Sequence, residues 1–371
     1  MARNATNVNL KQDKKAKNDE FYTILSDVEK ELKHYKKHFK GKVVLCNCDD
    51  PRISNFFHYF SYNFEKLGLK KLITTCYKNQ SMDLFSKHDS EEAIWLEYEG
   101  DKNKNNVPDL DEIGIKHLKG DGDFRSQECI ELLKQADIVV TNPPFSLFRE
   151  YVAQLIQYDK KFLIVGTWNA ISYKETFSLI KENKLWIGIN SNRNFSGFIV
   201  PKHYSMHGTE ARIDENGNRI VSSNNTCWFT NLDNSKRHEE LILYKIYSPE
   251  EYPKYENFDA INVDKTNEIP LDYKGYMGVP ITFLDKYNPE QFEINALGIV
   301  GSIEFTSNRK MEIIDKKSGL PTGKYTNNAK GTLYRLYNPK KDKKGPAFKD
   351  VETGALYSSI YARVIIKNKR L

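Results

Sequence analysis

The chain of 371 residues lacks any apolar run near the ~18 residues that a membrane-spanning helix requires. The amino terminus, Met1 to Asn4, lacks the apolar segment of a secretory signal. These absences argue against a helical membrane protein and against a secreted one. We therefore expect a soluble, cytoplasmic protein, with no membrane among its partners.

The sequence also lacks the cysteine and histidine spacings of disulfide scaffolds and zinc sites. No CxxC pair occurs among the five cysteines, which are Cys46, Cys48, Cys76, Cys129 and Cys227. Three of them lie in apolar, strand-like segments, so we expect buried free thiols. His203 and His207 lie four positions apart, but no carboxylate cluster accompanies them. We therefore predict no metal site.

Length and composition favour two domains. A single hydrophobic core usually stops growing near ~250 residues, and this chain of 371 residues is 39% hydrophobic. From about residue 247 the sequence becomes richer in Pro, Tyr and Lys. We predict one domain over residues 1–245, beginning with a mobile basic tail over 1–17, and a second domain over 246–371.

Positive charge is concentrated at the carboxyl end of the chain. Residues 306–371 contain 16 Lys and Arg against 5 Asp and Glu, whereas the remainder contains 40 against 45. The basic residues alternate with tyrosines, a pattern that favours contact with a nucleic-acid backbone. The alternative is a solvated basic surface. The candidate contacts are Arg309, Lys310, Lys324, Lys330 and Arg335.

Alternating apolar strands and amphipathic helices predict an α/β fold with a mostly parallel sheet and helices on both faces. Buried strands are expected at residues 42–47, 72–76, 94–98, 136–141 and 162–166, and helices at 26–38, 53–66 and 126–135. In such sheets ligands bind beyond the carboxyl ends of the strands, which would bring Asp49 and Phe145 together. Short segments at 186–189, 197–200 and 227–230 predict hairpins, and Asn216-Gly217 predicts a hairpin tip.

The four residues Asn142-Pro143-Pro144-Phe145 directly follow the strand expected at 136–141. The two prolines lack backbone donors and make the turn stiff, with outward-facing carbonyls. The Asn142 side-chain oxygen and the Pro143 carbonyl can accept from an amino group, and Phe145 offers a face for a planar ring. Holding both hydrogens of a ring-attached amine makes its nitrogen more tetrahedral and more nucleophilic. The alternative is an ordinary turn.

A second candidate loop is Gly120-Asp121-Gly122-Asp123-Phe124. One of its carboxylates could bind an adenine amino group, and Phe124 could pack on a ring. The alternative is a turn into a helix with Ser126 as its N-cap.

Four separated segments resemble the EcoRI-type adenine-specific DNA methyltransferase family: residues 17–23 (KNDEFYT), 46–56 (CNCDDPRISNF), 141–146 (TNPPFS) and 278–284 (GVPITFL). The resemblance implies a class I, Rossmann-like methyltransferase fold with a smaller carboxyl-terminal target-recognition domain. It implies methyl transfer from S-adenosylmethionine to N6 of adenine in double-stranded DNA, with the target base flipped out of the helix. A restriction endonuclease acting on the same site is a possible partner, and we expect a monomer.

The resemblance also implies roles for individual residues. Asn142, Pro143, Pro144 and Phe145 would hold the target base. The implied cofactor contacts are Phe21, Tyr22, Thr23, Asn47, Asp49, Asp50, Asp123 and Phe124. Two features depart from the broader superfamily: Cys46 to Pro51 replace a glycine-rich loop, and Thr75 and Cys76 stand where a carboxylate usually binds the ribose. Trp168 and Trp228 are candidate walls of the base pocket or core residues.

Other functions are compatible with the same motif. Variants of Asn-Pro-Pro-Phe also serve guanine-amino methylation in RNA and glutamine-amide methylation in proteins, because each target is a planar nitrogen. A non-catalytic nucleic-acid-binding module is a third alternative, which failure to bind S-adenosylmethionine would favour.

Overall fold

The computed structural model describes residues 21–48, 54–77, 93–105, 108, 112–191, 195–200, 211–221, 225–306, 309–315 and 317–371. The chain divides into two compact units, Met1–Thr176 with Leu185–Asn234, and Phe177–Lys184 with Ser235–Leu371. The roles assigned above to residues 1–245 and 246–371 stay predictions.

Seven α-helices are described: α1 (Leu25–Leu32), α2 (Lys36–Phe39), α3 (Asn55–Tyr62), α4 (Phe64–Leu67), α5 (Gln127–Gln135), α6 (Phe148–Gln157) and α7 (Lys174–Lys181). None of these described helices is long and apolar enough to cross a membrane. The helices expected at 26–38 and 53–66 are each broken into two shorter helices. The second break is at Asn63, whose side chain donates to the Tyr59 carbonyl at 2.8 Å.

The first unit contains the strands β1 (Tyr22–Thr23), β2 (Val43–Cys46), β3 (Lys71–Thr75), β4 (Ile94–Tyr98), β5 (Gly114–His117), β6 (Ile138–Thr141), β7 (Lys161–Thr167), β8 (Trp186–Ser191), β9 (Phe198–Val200), β10 (Arg212–Ile213), β11 (Arg219–Val221) and β12 (Thr226–Thr230). Eight of them form one sheet in the order β5-β4-β3-β2-β6-β7-β12-β8. The five buried strands expected from the sequence are confirmed within about one residue at each end, except that β6 begins two residues later.

The pairings of this sheet are mixed. The central strands β3, β2, β6 and β7 are parallel to one another. The outer pairings, from β3 to β5 and from β7 through β12 to β8, are antiparallel. The expected mostly parallel sheet is therefore correct only for the four central strands, whose carboxyl ends lie at one edge.

Helices cover both faces of the sheet, and its central strands are therefore buried on both sides. One face contributes Val44, Val140 and Val165 to a core cluster with residues of α1 to α4. On the other face Phe148 of α6 packs against Phe229 of β12, with ring centroids 5.0 Å apart. This layering holds the carboxyl ends of β2 and β6 in fixed positions.

A second, four-stranded sheet of the first unit has the order β1-β9-β11-β10. The hairpin expected around Asn216-Gly217 is confirmed, since β10 pairs with β11 in antiparallel register. The hairpin expected between the segments at 186–189 and 197–200 is wrong, because the corresponding strands β8 and β9 lie in different sheets. Long-range pairing of β9 with β1 replaces the local pairing that the turn residues suggested.

The second unit contains β13 (Ile261–Asn262), β14 (Met277–Pro280), β15 (Phe292–Leu297), β16 (Lys310–Ile314), β17 (Pro321–Asn327), β18 (Leu333–Leu336), β19 (Phe348–Asp350), β20 (Leu356–Ile360) and β21 (Arg363–Asn368). They form a four-stranded sheet, β13-β14-β21-β15, and a five-stranded sheet, β17-β16-β19-β20-β18. The second sheet has its own core around Met311, Tyr334 and Phe348.

A buried carboxylate joins α1 to strand β8. Glu31 is fully buried and accepts hydrogen bonds from the backbone N–H groups of Ile189 (2.8 Å) and Asn190 (2.6 Å) and from the Tyr35 hydroxyl (2.9 Å). Burial raises the pKa of the Glu31 carboxyl, and these donors oppose that rise by stabilising its charge. The Glu31 carboxylate therefore holds β8, an edge strand of the main sheet, by the backbone N–H groups of that strand.

We predict that Glu31→Ala lowers the free energy of unfolding by about 3 kcal/mol, because it leaves two partly buried backbone N–H groups of β8 without an acceptor. Urea denaturation of the variant and of Glu29→Ala, which removes an exposed carboxylate from the same helix, measures the difference. Equal effects of the two substitutions would contradict this role of Glu31.

Candidate active site

Asn142 lies at the carboxyl end of β6, and its two side-chain polar atoms are in different situations. The residue is 7% exposed. Its Nδ2 donates to the main-chain carbonyl of Phe21, which fixes the orientation of the amide. Its Oδ1 is buried and has no hydrogen-bond partner among the described residues. A buried acceptor without a donor is costly, so this oxygen is a site for an incoming N–H group.

The two prolines after Asn142 differ in the use of their carbonyls. The Pro144 carbonyl accepts from the Leu147 N–H at 3.0 Å and begins a short 3-10 turn over Phe145–Leu147. No described N–H donates to the Pro143 carbonyl. Two open acceptors, Asn142 Oδ1 and the Pro143 oxygen, therefore belong to adjacent residues.

Phe145 belongs to a cluster of three aromatic rings. Its ring stacks on that of Phe21, with centroids 5.9 Å apart and planes inclined by 17°. Phe198 meets Phe145 edge-on at 6.0 Å and is inclined at 57° to Phe21 at 5.7 Å. The sequence analysis missed Phe198, which only the pairing of Thr23 in β1 with Phe198 in β9 brings here. The cluster makes an apolar wall next to the two acceptors.

The segment Phe21 to Thr23, implied above to contact the cofactor, is anchored beside this wall. Tyr22 pairs with Ile199, and the Thr23 carbonyl accepts from Asn55 Nδ2 at 2.8 Å. Thr23 is 1% exposed, and its hydroxyl has no hydrogen-bond partner among the described residues. A second polar atom that needs a partner therefore lies on this segment.

Asn47 joins the turn after β2 to β6 and α6. Its main-chain carbonyl accepts from the Thr141 hydroxyl, and its Oδ1 accepts from the Tyr151 hydroxyl. Burial raises the pKa of Tyr151 well above its ordinary value, so this hydroxyl remains a donor. The ends of β2 and β6 thus converge, as expected for the ligand edge of such a sheet. Asn47 Oδ1 is engaged within the protein.

The acidic loop lies at the end of β3. Gly122 has a positive φ of 79°, and a Cβ there would lie 2.1 Å from the Cys76 carbonyl oxygen. The N-cap expected at Ser126 is confirmed, because its side chain accepts from the Cys129 N–H at 3.3 Å and caps α5. Binding of an adenine by this loop stays a prediction. Only glycine permits this close approach of the loop to β3.

Asp123 and Phe124 have partners within the protein. The Asp123 carboxylate accepts from Arg125 Nε at 2.9 Å and from a second guanidinium nitrogen at 2.7 Å. The Arg125 guanidinium holds the pKa of the Asp123 carboxyl below its ordinary value, so Asp123 is ionised at neutral pH. Phe124 is buried edge-on against Tyr151, with ring centroids 5.0 Å apart. Their cofactor contacts stay predictions.

The two tryptophans differ. Trp228 is fully buried and packs on Phe56 and Phe195 at 6.1 and 5.7 Å, so the core alternative is correct for it. Trp168, just after β7, is 6% exposed, and the indole N–H groups of both tryptophans have no hydrogen-bond partner among the described residues. Trp168 stays a candidate for the wall of the base pocket.

Among the candidate basic residues, Arg335 requires a correction. It is 4% exposed and its guanidinium pairs with Asp342 at 2.6 Å, because its strand β18 lies within the second unit's packed sheet. It is therefore unavailable to a phosphate. Arg309 is partly engaged, with Glu256 and Asp350 at 3.5 and 3.6 Å. Lys310, Lys324 and Lys330 are exposed.

Asp49, Asp50, His203, His207 and the tail over residues 1–17 lie outside the described residues. All five cysteines lie among the described residues, where they form no disulfide, and four of the five are buried.

Comparison with known proteins identifies similar chains. The family model described as adenine-specific methyltransferase EcoRI matches residues 9–369. The type II methyltransferase M.EcoRI of Escherichia coli is 60% identical over 296 residues, which cover 79% of this chain and 90% of that protein. The type II methyltransferases M.MgeORF184P of Mycoplasma genitalium and M.MpnI of Mycoplasma pneumoniae are 42% and 40% identical, over 76% of this chain and 83% of each relative. No solved structure matches.

We predict that Gly122→Ala lowers the free energy of unfolding by at least about 2 kcal/mol, because it combines a left-handed backbone with a clash against the Cys76 carbonyl. Gly120→Ala is the matched control in the same loop, since a Cβ there would meet only the flexible Glu128 carboxylate at 3.5 Å. Thermal denaturation of both variants checks the prediction, and a stable Gly122→Ala protein would show that the loop does not depend on this approach.

Proposed function

Because this chain belongs to the EcoRI family of adenine-specific methyltransferases, we propose that it methylates the N6 amino group of an adenine in double-stranded DNA with S-adenosylmethionine as donor. The adenine-specific methyltransferase activity follows from family membership and from the type II methyltransferases that resemble most of the chain. The donor, the flipped base and the individual roles below are the proposal.

The observation that carries the proposal is the pair of open acceptors on Asn142 and Pro143. An adenine amino group carries two hydrogens, and the pair provides one acceptor for each. The Phe21 carbonyl holds Nδ2 of Asn142 and leaves Oδ1 as the acceptor. Drawing both hydrogens towards acceptors localises the nitrogen lone pair, which the ring otherwise delocalises.

The residues on this edge of the sheet fit S-adenosylmethionine, which supplies a methyl group on an electrophilic sulfonium when bound. The buried Thr23 hydroxyl has no partner within the described part of the chain and is available to the polar end of the donor. The ionised Asp123 carboxylate and the Phe124 ring are assigned to the adenine of the donor. Asn47 acts by holding the turn after β2, since its side-chain oxygen already accepts from Tyr151.

In this mechanism the protein positions and polarises the base. Phe145 and its two aromatic neighbours supply a face for the extruded adenine, and Asn142 and Pro143 orient its amino group. The apolar cluster keeps water away from the acceptors, which strengthens the hydrogen bonds they make.

Binding of DNA is assigned to the basic residues of the second unit. Lys310, Lys324 and Lys330 are exposed and would neutralise phosphates, with Arg309 contributing less because it is ion-paired. The type II names of the relatives support a partner endonuclease that acts on the same site. The monomeric state stays a prediction.

We predict that Asn142→Ala reduces methyl transfer to DNA by about 100-fold to 1,000-fold, the loss expected when one positioned hydrogen-bonding group is removed from an active site. Asn142→Asp should show a smaller loss, because it keeps an acceptor for the amino group. Some loss is still expected, because its second carboxylate oxygen lies against the Phe21 carbonyl. The measurement is transfer of labelled methyl from S-adenosylmethionine to unmethylated duplex DNA, followed by nucleoside analysis.

Asn216→Ala, at the exposed tip of the β10–β11 hairpin, is the control and should leave transfer unchanged. N6-methyladenine made by the wild type and lost in Asn142→Ala supports the proposal. Label on RNA or protein instead would retain the active-site chemistry and reject DNA as the substrate. Full transfer by Asn142→Ala would reject the role of Asn142.

A further inference from the structure

The hairpin of β16 and β17 in the second unit is exposed to an unusual degree. Six of the seven residues of β17 are exposed, and Thr326 is half-buried. The strand forms an edge of the five-stranded sheet, whereas β16 is anchored by Met311, which is fully buried. A strand exposed on both faces is not explained by packing of the described core, and an open edge is usually protected or used.

The charge of this hairpin is positive towards solvent. Residues 309–330 contain six Lys and Arg against two Asp and Glu. Both acidic side chains are engaged within the hairpin: Glu312 accepts from the Gly323 N–H at 3.1 Å, and Asp315 accepts from the Ser318 N–H at 2.8 Å. Lys310 and Lys324 form no ion pair with any described residue. The hairpin therefore presents uncompensated lysines.

One face of the hairpin combines groups that suit base recognition. Lys310 lies opposite Asn327, and Glu312 lies opposite Tyr325, so these four side chains share the face opposite to Met311. The Lys310 ammonium lies 5.0 Å from the centroid of the Tyr325 ring. The Asn327 side chain makes no hydrogen bond to the described part of the chain. It offers both a donor and an acceptor to a partner.

A strained turn sets the end of this hairpin. Asn328, Ala329 and Lys330 have positive φ values of 50°, 49° and 60°, a conformation that costs about 1 kcal/mol or more for each non-glycine residue. The buried Asn257 holds the turn, because its Nδ2 donates to Asn328 Oδ1 at 3.2 Å and to the Thr332 carbonyl at 2.9 Å. The buried Asn257 thus fixes the direction in which the chain turns after β17.

We propose that the β16–β17 hairpin enters the major groove of duplex DNA, where Asn327 reads a base edge and Lys324 contacts a phosphate. The inference rests on the proposed function, and it names the element that selects the methylation site. The major groove of B-form DNA is about 12 Å wide and admits a two-stranded ribbon. The major groove of an RNA duplex is too narrow for side chains to read, so the hairpin matches DNA.

Asn327 and Lys324 have different functions in this arrangement. The amide of an asparagine can pair with an adenine edge through two hydrogen bonds and so distinguishes bases. An ammonium on a phosphate carries no sequence information but releases a counterion, which makes binding salt-dependent. Each role therefore gives a separate readout.

The experiment uses the full chain with S-adenosylmethionine and a plasmid library, and maps N6-methyladenine by single-molecule sequencing. Asn327→Ala should relax the sequence preference at one base-pair position by at least about tenfold. Lys324→Ala should keep the wild-type sequence preference. Its plot of log binding constant against log salt concentration should be less steep, with the magnitude of the negative slope smaller by about one, measured with a duplex that contains the mapped site. Lys367→Ala, an exposed lysine on β21, is the control and should change neither readout.

Each outcome decides the inference. An Asn327→Ala enzyme with the wild-type sequence preference would overturn base reading by the hairpin, and an unchanged salt slope in Lys324→Ala would overturn the phosphate contact. Both substitutions are at exposed positions, and matching thermal midpoints exclude misfolding as the cause of a change. If the wild type methylates no DNA, the proposed function itself fails. If the wild type methylates DNA and the variants change neither the sequence preference nor the salt slope, only the role of the hairpin fails.

Discussion

The candidate active site depends on the link between the ends of β2 and β6 through Asn47. Thr141 donates to its main-chain carbonyl, and Tyr151 of α6 donates to its side chain, so one residue joins two strand ends and a helix. Parallel strands bring their carboxyl ends to one edge, but the turns that follow are free to diverge. Asn47 prevents this by giving the turns a shared, buried hydrogen-bond partner. The open acceptors of Asn142 and Pro143 are rigid because the strand end before them is held in this way.

Long-range contacts complete the site from distant parts of the chain. The Phe21 carbonyl orients the Asn142 amide across 121 positions of sequence, and Phe198 reaches Phe145 only through the β1–β9 pairing. Asn55 in turn holds Thr23 at 2.8 Å. The segment assigned to the methyl donor and the residue assigned to the target base are therefore joined by one hydrogen bond. The first is positioned by the backbone pairing of β1 with β9 and by the Asn55 side chain, and the second by the Phe21 carbonyl.

Much of the first unit could be predicted from the sequence, for physical reasons that particular elements illustrate. The strands β2, β6 and β7 are apolar runs buried on both faces, a local signal that needs no knowledge of the rest of the fold. Ser126 was identifiable as a cap from its position alone. The contact of Phe198 with Phe145 and the antiparallel pairings of the outer strands depend on residues far apart in sequence. No local pattern carries that information.

The most direct test of the central claim is a crystal structure of the protein with S-adenosylhomocysteine and a duplex that contains its methylation site. The account predicts an adenine outside the helix, stacked on Phe145, with its N6 atom within about 3.2 Å of both Asn142 Oδ1 and the Pro143 carbonyl oxygen. An adenine whose amino group is held by other residues, with Asn142 Oδ1 still without a donor, would contradict it.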